Sequence, residues 1–279
     1  MTAAAAEAAA PAAAQAALRI SDLTVRFGGL VALDAVSASV APGEVVGVIG
    51  PNGAGKTTLF NVVCGFVRPT TGRLEVQGRE VRRLHPHALA GLGIARTLQG
   101  LGLFPHMSCL ENVMVGANRH GRAGFASALL GLPRSDNDEQ ALRERSLALL
   151  DELDVAHVAS RLPGSLPYPL QKRVALARAL VSDPQILLLD EPASGLSNTE
   201  MDELGDLIRG LRGRMAVMLV EHHMDLVMSV CDRIVVLDFG KVIATGTPTE
   251  VRADERVLAA YLGEEVDAAD ESMSGGTDD

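Results

Sequence analysis

The sequence predicts an α/β fold: a parallel sheet covered by helices, with antiparallel strands added at its margins and a helical segment inserted. Three observations predict it. Short apolar runs bounded by polar residues, at 45–49, 186–189, 216–220 and 234–237, read as strands buried on both faces. Helical patterns at 58–65, 171–181 and 200–211 alternate with them, the order expected when crossover helices join parallel strands. From about Met107 to Leu162 strand patterns vanish and a charged, Leu/Ala-rich helical periodicity takes over.

Along the chain, 18–27 and 35–40 read as strands flanking the Gly28-Gly29 turn. The buried run 45–49 leads into the loop Gly50-Pro51-Asn52-Gly53-Ala54-Gly55-Lys56-Thr57 and a helix from near Thr58. The pieces 73–77 and 241–245 sit beside glycine and read as antiparallel additions. Within the inserted segment, Ser135-Asp136-Asn137-Asp138 supplies the side chains that start a helix. The chain shows no internal repeat.

At 279 residues and 47% hydrophobic content, the chain can bury a full core. Its net charge of -10 and pI near 5.2 disfavour a sequence-independent nucleic-acid binder, so no nucleic-acid partner is expected. Cys64, Cys109 and Cys231 are too far apart to read as a disulfide framework or a metal spacing, and suit a reducing cytoplasm. Residues 1–17 are mostly alanine and lack the Lys or Arg of a signal peptide, so they are expected to be a disordered tail. No later stretch has 18 uncharged apolar residues, and a membrane would have to be reached through a partner. Residues 264–279 carry acidic charge only and read as a second disordered tail.

The 50–57 loop is the strongest chemical signal. Its glycines let the backbone wrap so that successive N–H groups point inward, the helix start adds a positive dipole end, and Lys56 reaches the outer phosphates. Gly50, Pro51, Asn52, Gly53, Ala54, Gly55, Lys56, Thr57 and Thr58 are the expected nucleotide contacts, and Thr57 can place its hydroxyl on magnesium. The ligand class is thus a nucleoside triphosphate with Mg2+. An ordinary Gly-rich turn is the competing reading, but a match of this form arises by chance about once in a hundred chains of this size, before its strand–loop–helix context is counted.

The run 186–189 delivers Asp190 and Glu191 at its carboxyl end, followed by Pro192. In a doubly wound sheet that end is where ligands sit, beside a phosphate loop on a neighbouring strand. Asp190 would hold the metal and Glu191 would polarise the water that attacks the γ-phosphate.

This acid pair resembles the B motif of the ATP-binding-cassette (ABC) ATPases, and the order of the remaining motifs is similar to that family from about residue 18 to 263. The resemblance implies a P-loop NTPase (RecA-like) core with a helical subdomain at about 107–180. It also implies roles. Gln99, after Arg96-Thr97-Leu98, matches the glutamine whose amide meets metal and nucleophilic water; taken alone it reads as a surface residue. His222 matches the switch histidine on the γ-phosphate and is preferred to His223 because the strand ends just before Glu221. Adjacent histidines also read as a solvated helix start or a metal pair, although no Cys or third His is suitably spaced. Phe27 matches the ring stacked on adenine, with a core role the even alternative. Ser194-Gly195-Leu196-Ser197 occupies the D-loop, with Ser197 where an Asp is usual and expected to hydrogen-bond across a dimer.

One motif departs from the family. Where Leu-Ser-Gly-Gly-Gln is usual, the chain has Leu166-Pro167-Tyr168-Pro169-Leu170, and Gln171-Lys172-Arg173 then restores the match ahead of a helix from near Leu170. Pro167 has no hydroxyl and Pro169 no N–H, so the chain lends a poor signature to a partner. A heterodimer with a second ABC ATPase subunit follows, with a homodimer or a low-turnover nucleotide-binding subunit as alternatives.

The strings Phe27-Gly28-Gly29-Leu30, Gly93-Ile94-Ala95-Arg96-Thr97-Leu98-Gln99 and Glu221-His222-His223-Met224-Asp225 resemble the ATPase subunits of branched-chain (hydrophobic) amino-acid uptake systems. Similar strings occur in ATPases for urea or amide uptake and envelope-lipid export. The resemblance implies a peripheral subunit on the cytoplasmic face of the cell membrane. Two transmembrane permease subunits would be its direct partners, and a substrate-binding protein an indirect one. The single phosphate loop argues against a tandem-cassette protein.

Overall fold

The structure is a computed structural model that describes residues 16–82, 84–97, 101–117 and 133–261, with side chains from 138 onward in the last segment. Two sheets form its framework. Strands β1 (Leu18–Phe27), β2 (Leu30–Val40), β4 (Thr71–Val76) and β5 (Arg79–Glu80) make an antiparallel sheet in the order β2-β1-β4-β5. The larger sheet has β3 (Val45–Ile49), β6 (Ile94–Arg96), β7 (Ile186–Asp190), β8 (Ala216–Val220), β9 (Arg233–Asp238) and β10 (Lys241–Gly246), ordered β10-β9-β3-β8-β7-β6. All its pairings are parallel except β10 with β9.

Strands β3, β7 and β8 are buried at every residue, as their unbroken apolar runs require. Alternate side chains divide between two cores. Leu187, Leu189, Val217, Leu219 and Val236 face a core shared with the helices, while Ile186, Leu188, Met218, Val220 and Val235 face one shared with the antiparallel sheet and α1 (Lys56–Val63). Each fully buried aliphatic contributes about 1.5–3 kcal/mol, so this double-sided burial is what holds the middle strands in place.

The helices are α1, α2 (Cys109–Val115), α3 (Pro133–Glu152), α4 (Tyr168–Leu180), α5 (Asn198–Leu211), α6 (Met224–Val230) and α7 (Pro248–Arg252). α2, α3 and α4 pack on one another, with Val113, Leu150 and Val174 fully buried among them. No strand interrupts the described residues from 107 to 180.

Several boundaries shift from the sequence expectation. β2 starts at Leu30, not Ala35, because Phe27 pairs with Leu30 across a two-residue turn and the strand continues through a distortion at Ala35 (φ 51°). That distortion interrupts the period-two alternation of the strand. α1 starts at Lys56 because left-handed Gly55 caps it directly. α3 starts at Pro133 and α4 at Tyr168, ahead of the expected Ser135 and Leu170, since proline fits the first turn of a helix where no intrahelical N–H bond is needed. The three-residue β6 is too short for any periodicity and went unpredicted. Ala17, assigned to the N-terminal tail, is buried and hydrogen-bonded to Val40 and Gln77; the rest of that tail through residue 15, and 264–279, lie outside the described residues. All three cysteines are buried, and burial pushes the Cys64 and Cys231 thiols up to about 12. No helix among the described residues is long and apolar enough to cross a membrane.

Candidate nucleotide site

Three parallel strands end together. Val48 of β3 aligns with Val220 of β8, and Val220 with Asp190 of β7. The 50–57 loop, Glu221-His222-His223 and Glu191 therefore leave the sheet along one edge, the position at which a doubly wound sheet collects ligands. The sequence reading placed the carboxylate strand directly beside the phosphate loop. Instead β8 lies between them and brings its own side chains to the edge.

The loop is shaped by close contacts as much as by torsion. A Cβ at Gly50 (φ 148°) would lie 2.0 Å from the Leu237 carbonyl oxygen, and one at Gly55 (φ 101°) 2.7 Å from that of Ala32. Both positions are left-handed as well, so each demands glycine. Gly55 caps α1 without a side-chain bond, which leaves first-turn N–H groups turned toward the loop. Lys56 folds back over it, its ammonium donating to the carbonyls of Gly50 (2.5 Å) and Pro51 (2.8 Å). Pro51 and Ala54 are buried supports; Asn52, Gly53 and Thr57 are exposed, and Thr58 is half-buried. Ala54 also accepts the Gly240 N–H (3.0 Å), which anchors the loop to the β9–β10 turn.

Asp190 is nearly inaccessible, with its side chain 2% exposed, and accepts a 2.8 Å bond from the Arg96 guanidinium. Burial pushes its carboxyl above the ordinary carboxylate range, while Arg96 pulls it back. Arg96 lies over the rings of Phe60 (5.1 Å) and Phe66 (5.2 Å), so it links β6, β7 and α1. Sequence reasoning quoted Arg96 but gave it no role.

Glu191 is half-buried and adopts φ 46°, an uncommon conformation for a residue with a side chain. Its N–H donates to the Val220 carbonyl and its carbonyl accepts the Ser194 N–H. Lys172 of α4 secures the same turn by donating to the carbonyls of Pro192 (2.5 Å) and Ser194 (2.6 Å), and burial pushes its ammonium below the usual lysine range. Glu221, fully buried, accepts from the N–H groups of Ala193 (2.7 Å), His222 (2.8 Å) and His223 (3.1 Å) and meets His223 Nδ1 at 3.0 Å. Neither Lys172 nor Glu221 was predicted. The available signal was a charge placed directly after an all-apolar strand, at Glu221.

His222 projects outward, 54% exposed against 31% for His223. Glu221, His222 and His223 have the composition of a metal cluster, but the carboxylate lone pairs are taken up by N–H donors, so the arrangement is a hydrogen-bonded turn. Phe27 ends β1 and is 51% exposed, which removes the core alternative. Gln99 lies outside the described residues.

The signature stretch forms the start of α4. Pro167 occupies the cap with no side-chain bond and Pro169 sits in the first turn. Tyr168 packs against Gly195 of the D-loop segment, with the Lys172 ammonium 5.1 Å from its ring centroid. Ser197, the residue expected to hydrogen-bond across a dimer, donates its hydroxyl to Glu200 (2.7 Å) at the start of α5. A serine followed three residues later by glutamate forms a capping box.

A family model described as "ABC transporter" matches residues 33–194, and one described as "Branched-chain amino acid ATP-binding cassette transporter" matches 241–267. The chain belongs to the ABC transporter family. This ABC ATPase is 43% identical over 249 residues to the high-affinity branched-chain amino acid transport ATP-binding protein BraF of Pseudomonas aeruginosa, covering 88% of the chain and 98% of the relative. It is 39% identical to LivG of Escherichia coli K12, a protein of the same description, with the same coverage. The crystal structure of the ADP conformation of MJ1267, an ATP-binding cassette of an ABC transporter, superposes with a TM-score of 0.76 at 31% identity, covering 89% of this chain and 99% of that one. As a member, the protein binds nucleotide and hydrolyses ATP.

Proposed function

We propose that the protein is the ATP-hydrolysing subunit that powers uptake of branched-chain or other hydrophobic amino acids, working at the cytoplasmic face of the cell membrane. The observation that carries this reading is the match of residues 241–267 to the branched-chain amino-acid cassette model, outside the nucleotide motifs common to all ABC ATPases. The functional unit is 18–263, with a helical subdomain at about 107–180 and tails on either side.

Lys56 and the N–H groups of 50–58 grip the phosphates, Phe27 stacks on adenine, and Glu191 orients the attacking water and takes its proton. His222 and Gln99 contact the γ-phosphate and the water. The oxygen donors of Thr57, Gln99 and Asp190 fit Mg2+, a hard cation that keeps few protein ligands; Arg96 holds only Oδ2 of Asp190. Bound there, Mg2+ would neutralise charge on the β- and γ-phosphates.

A closing dimer transmits the work to two permease subunits that receive solute from a binding protein. The uncapped, proline-bearing start of α4 supports pairing with a second, better-signatured ATPase subunit rather than with a copy of itself. To test the function, the subunit is reconstituted with its permeases and binding protein, and ATPase rates are measured with leucine, isoleucine, valine, urea and lipid. Stimulation by the hydrophobic amino acids is expected; stimulation by urea or lipid alone would overturn the reading. Glu191→Gln should retain ATP binding and lose turnover by about 10²-fold or more.

A further inference from the structure

Two segments of the site leave different strands, and one buried carboxylate joins them. Glu221 is wholly inaccessible, and both of its oxygens are engaged. Oε1 accepts the Ala193 N–H (2.7 Å), two residues beyond Glu191. Oε2 accepts the N–H groups of His222 (2.8 Å) and His223 (3.1 Å) and contacts the His223 ring (3.0 Å). A buried carboxylate is costly unless such donors surround it, and bonds of this charge-assisted kind are about twice as strong as neutral ones.

The geometry assigns Glu221 as a positioning residue: it fastens the Glu191 turn to the His222 loop so that the two groups act on ATP as one unit. The assignment rests on the roles proposed above for Glu191 and His222. The Glu191 turn needs such a fastening. Glu191 holds φ 46°, a conformation that persists only where its surroundings impose it, and Ala193 lies two residues further along the same turn. On the other side, the His222 ring is exposed and leans on the His223 ring (centroids 4.1 Å), so its direction depends on the backbone and on the His223 ring that Glu221 grips. Glutamine at 221 has nearly the same shape but turns an amide N–H2 toward N–H donors on one of the two sides, which opens the fastening without emptying the space.

The test compares kcat and KM for ATP in Glu221→Gln, His222→Ala and the double variant, each in the assembled complex. Glu221→Gln is expected to lower kcat about 10²-fold, the scale of a misplacement near 1 Å, with KM changed less than about twofold. In the His222→Ala background the same change should cost clearly less than its full factor, since the part of its effect that runs through His222 is already removed. Parental kcat in Glu221→Gln, a rise in KM without loss of kcat, or a full multiplicative loss in the double variant would each overturn the assignment. Should His222→Ala and Glu191→Gln themselves keep the parental rate, the proposed roles fail and the fastening has no function to serve. If Glu221→Gln does not fold, the amide protons of Ala193, His222 and His223 in the parental protein decide by NMR. Strong downfield shifts are expected for donors to a carboxylate, and random-coil positions would overturn the assignment.

Discussion

Arg96 and Asp190 show how much one residue pair carries. Asp190 has almost no contact with water, so removing Arg96 leaves an acid that must either stay charged in an apolar site or take up a proton. Arg96→Met should lower unfolding free energy by about 3 kcal/mol in denaturant titrations, with partial recovery in Arg96→Lys, which restores the charge but not the planar stacking on Phe60 and Phe66. Gly50→Ala is a different kind of lesion. Its Cβ would meet the Leu237 carbonyl at 2.0 Å, so the loop must deform, and ATP affinity measured by equilibrium binding should fall by more than tenfold, about 1.4 kcal/mol, while the sheet stays folded. At this scale the sequence was readable wherever a residue type has one use, as with Lys56 in its glycine loop. It was unreadable for Lys172, whose partners Pro192 and Ser194 are carbonyls supplied by another element.

Helix starts set the behaviour of the elements. α2, α5 and α7 begin with Ser108, Ser197 and Thr247, each bonded to a glutamate three residues on. At Glu200 the Ser197 N–H and hydroxyl hold the carboxyl below the usual range. A depressed folded-state pKa contributes stability that is present above the unfolded value and lost as pH falls through the folded one. The difference in thermal midpoint between the parental protein and Glu200→Gln should therefore be seen at pH 7 and shrink toward pH 3. Glu111 and Glu250 have the same arrangement and the same sign. Helix identity was legible from periodicity in α1, α4 and α5, although their starts and that of α3 were misplaced by two or more residues, whereas these caps went unread and α6 and α7 went unpredicted. The packing of α2 on α4 was not legible. It depends on Gly116, where a Cβ would lie 2.0 Å from the Arg178 carbonyl, and Gly116→Ala should separate these helices and lower the thermal midpoint.

For the whole molecule, the open question in the sequence was the signature stretch, and the structure recasts it. Pro167 and Pro169 do not harm α4, which begins one residue earlier than the second of them, but they leave its start without a capping hydroxyl. Pro169→Gly should speed hydrolysis only at the site whose phosphate loop belongs to the partner subunit, measured by pairing it with a partner whose own catalytic glutamate is intact or replaced. Arg178 reaches from the same helix to the carbonyls of Leu101 and Gly102, so movement of α4 is passed to the segment that follows Gln99.

By itself the sequence determined the ligand class, the parallel core and the acid pair, because each is written in consecutive residues: a glycine loop between a strand and a helix, and two carboxylates closing an apolar run. Only the tertiary structure decided that β8 separates the loop from the acids, that Glu221 joins the Glu191 turn to the His222 loop, and that Arg96 stands against Asp190. Those features arise from burial and from partners more than 25 residues apart, where the cost of an unpaired charge, not any local pattern, selects the contact.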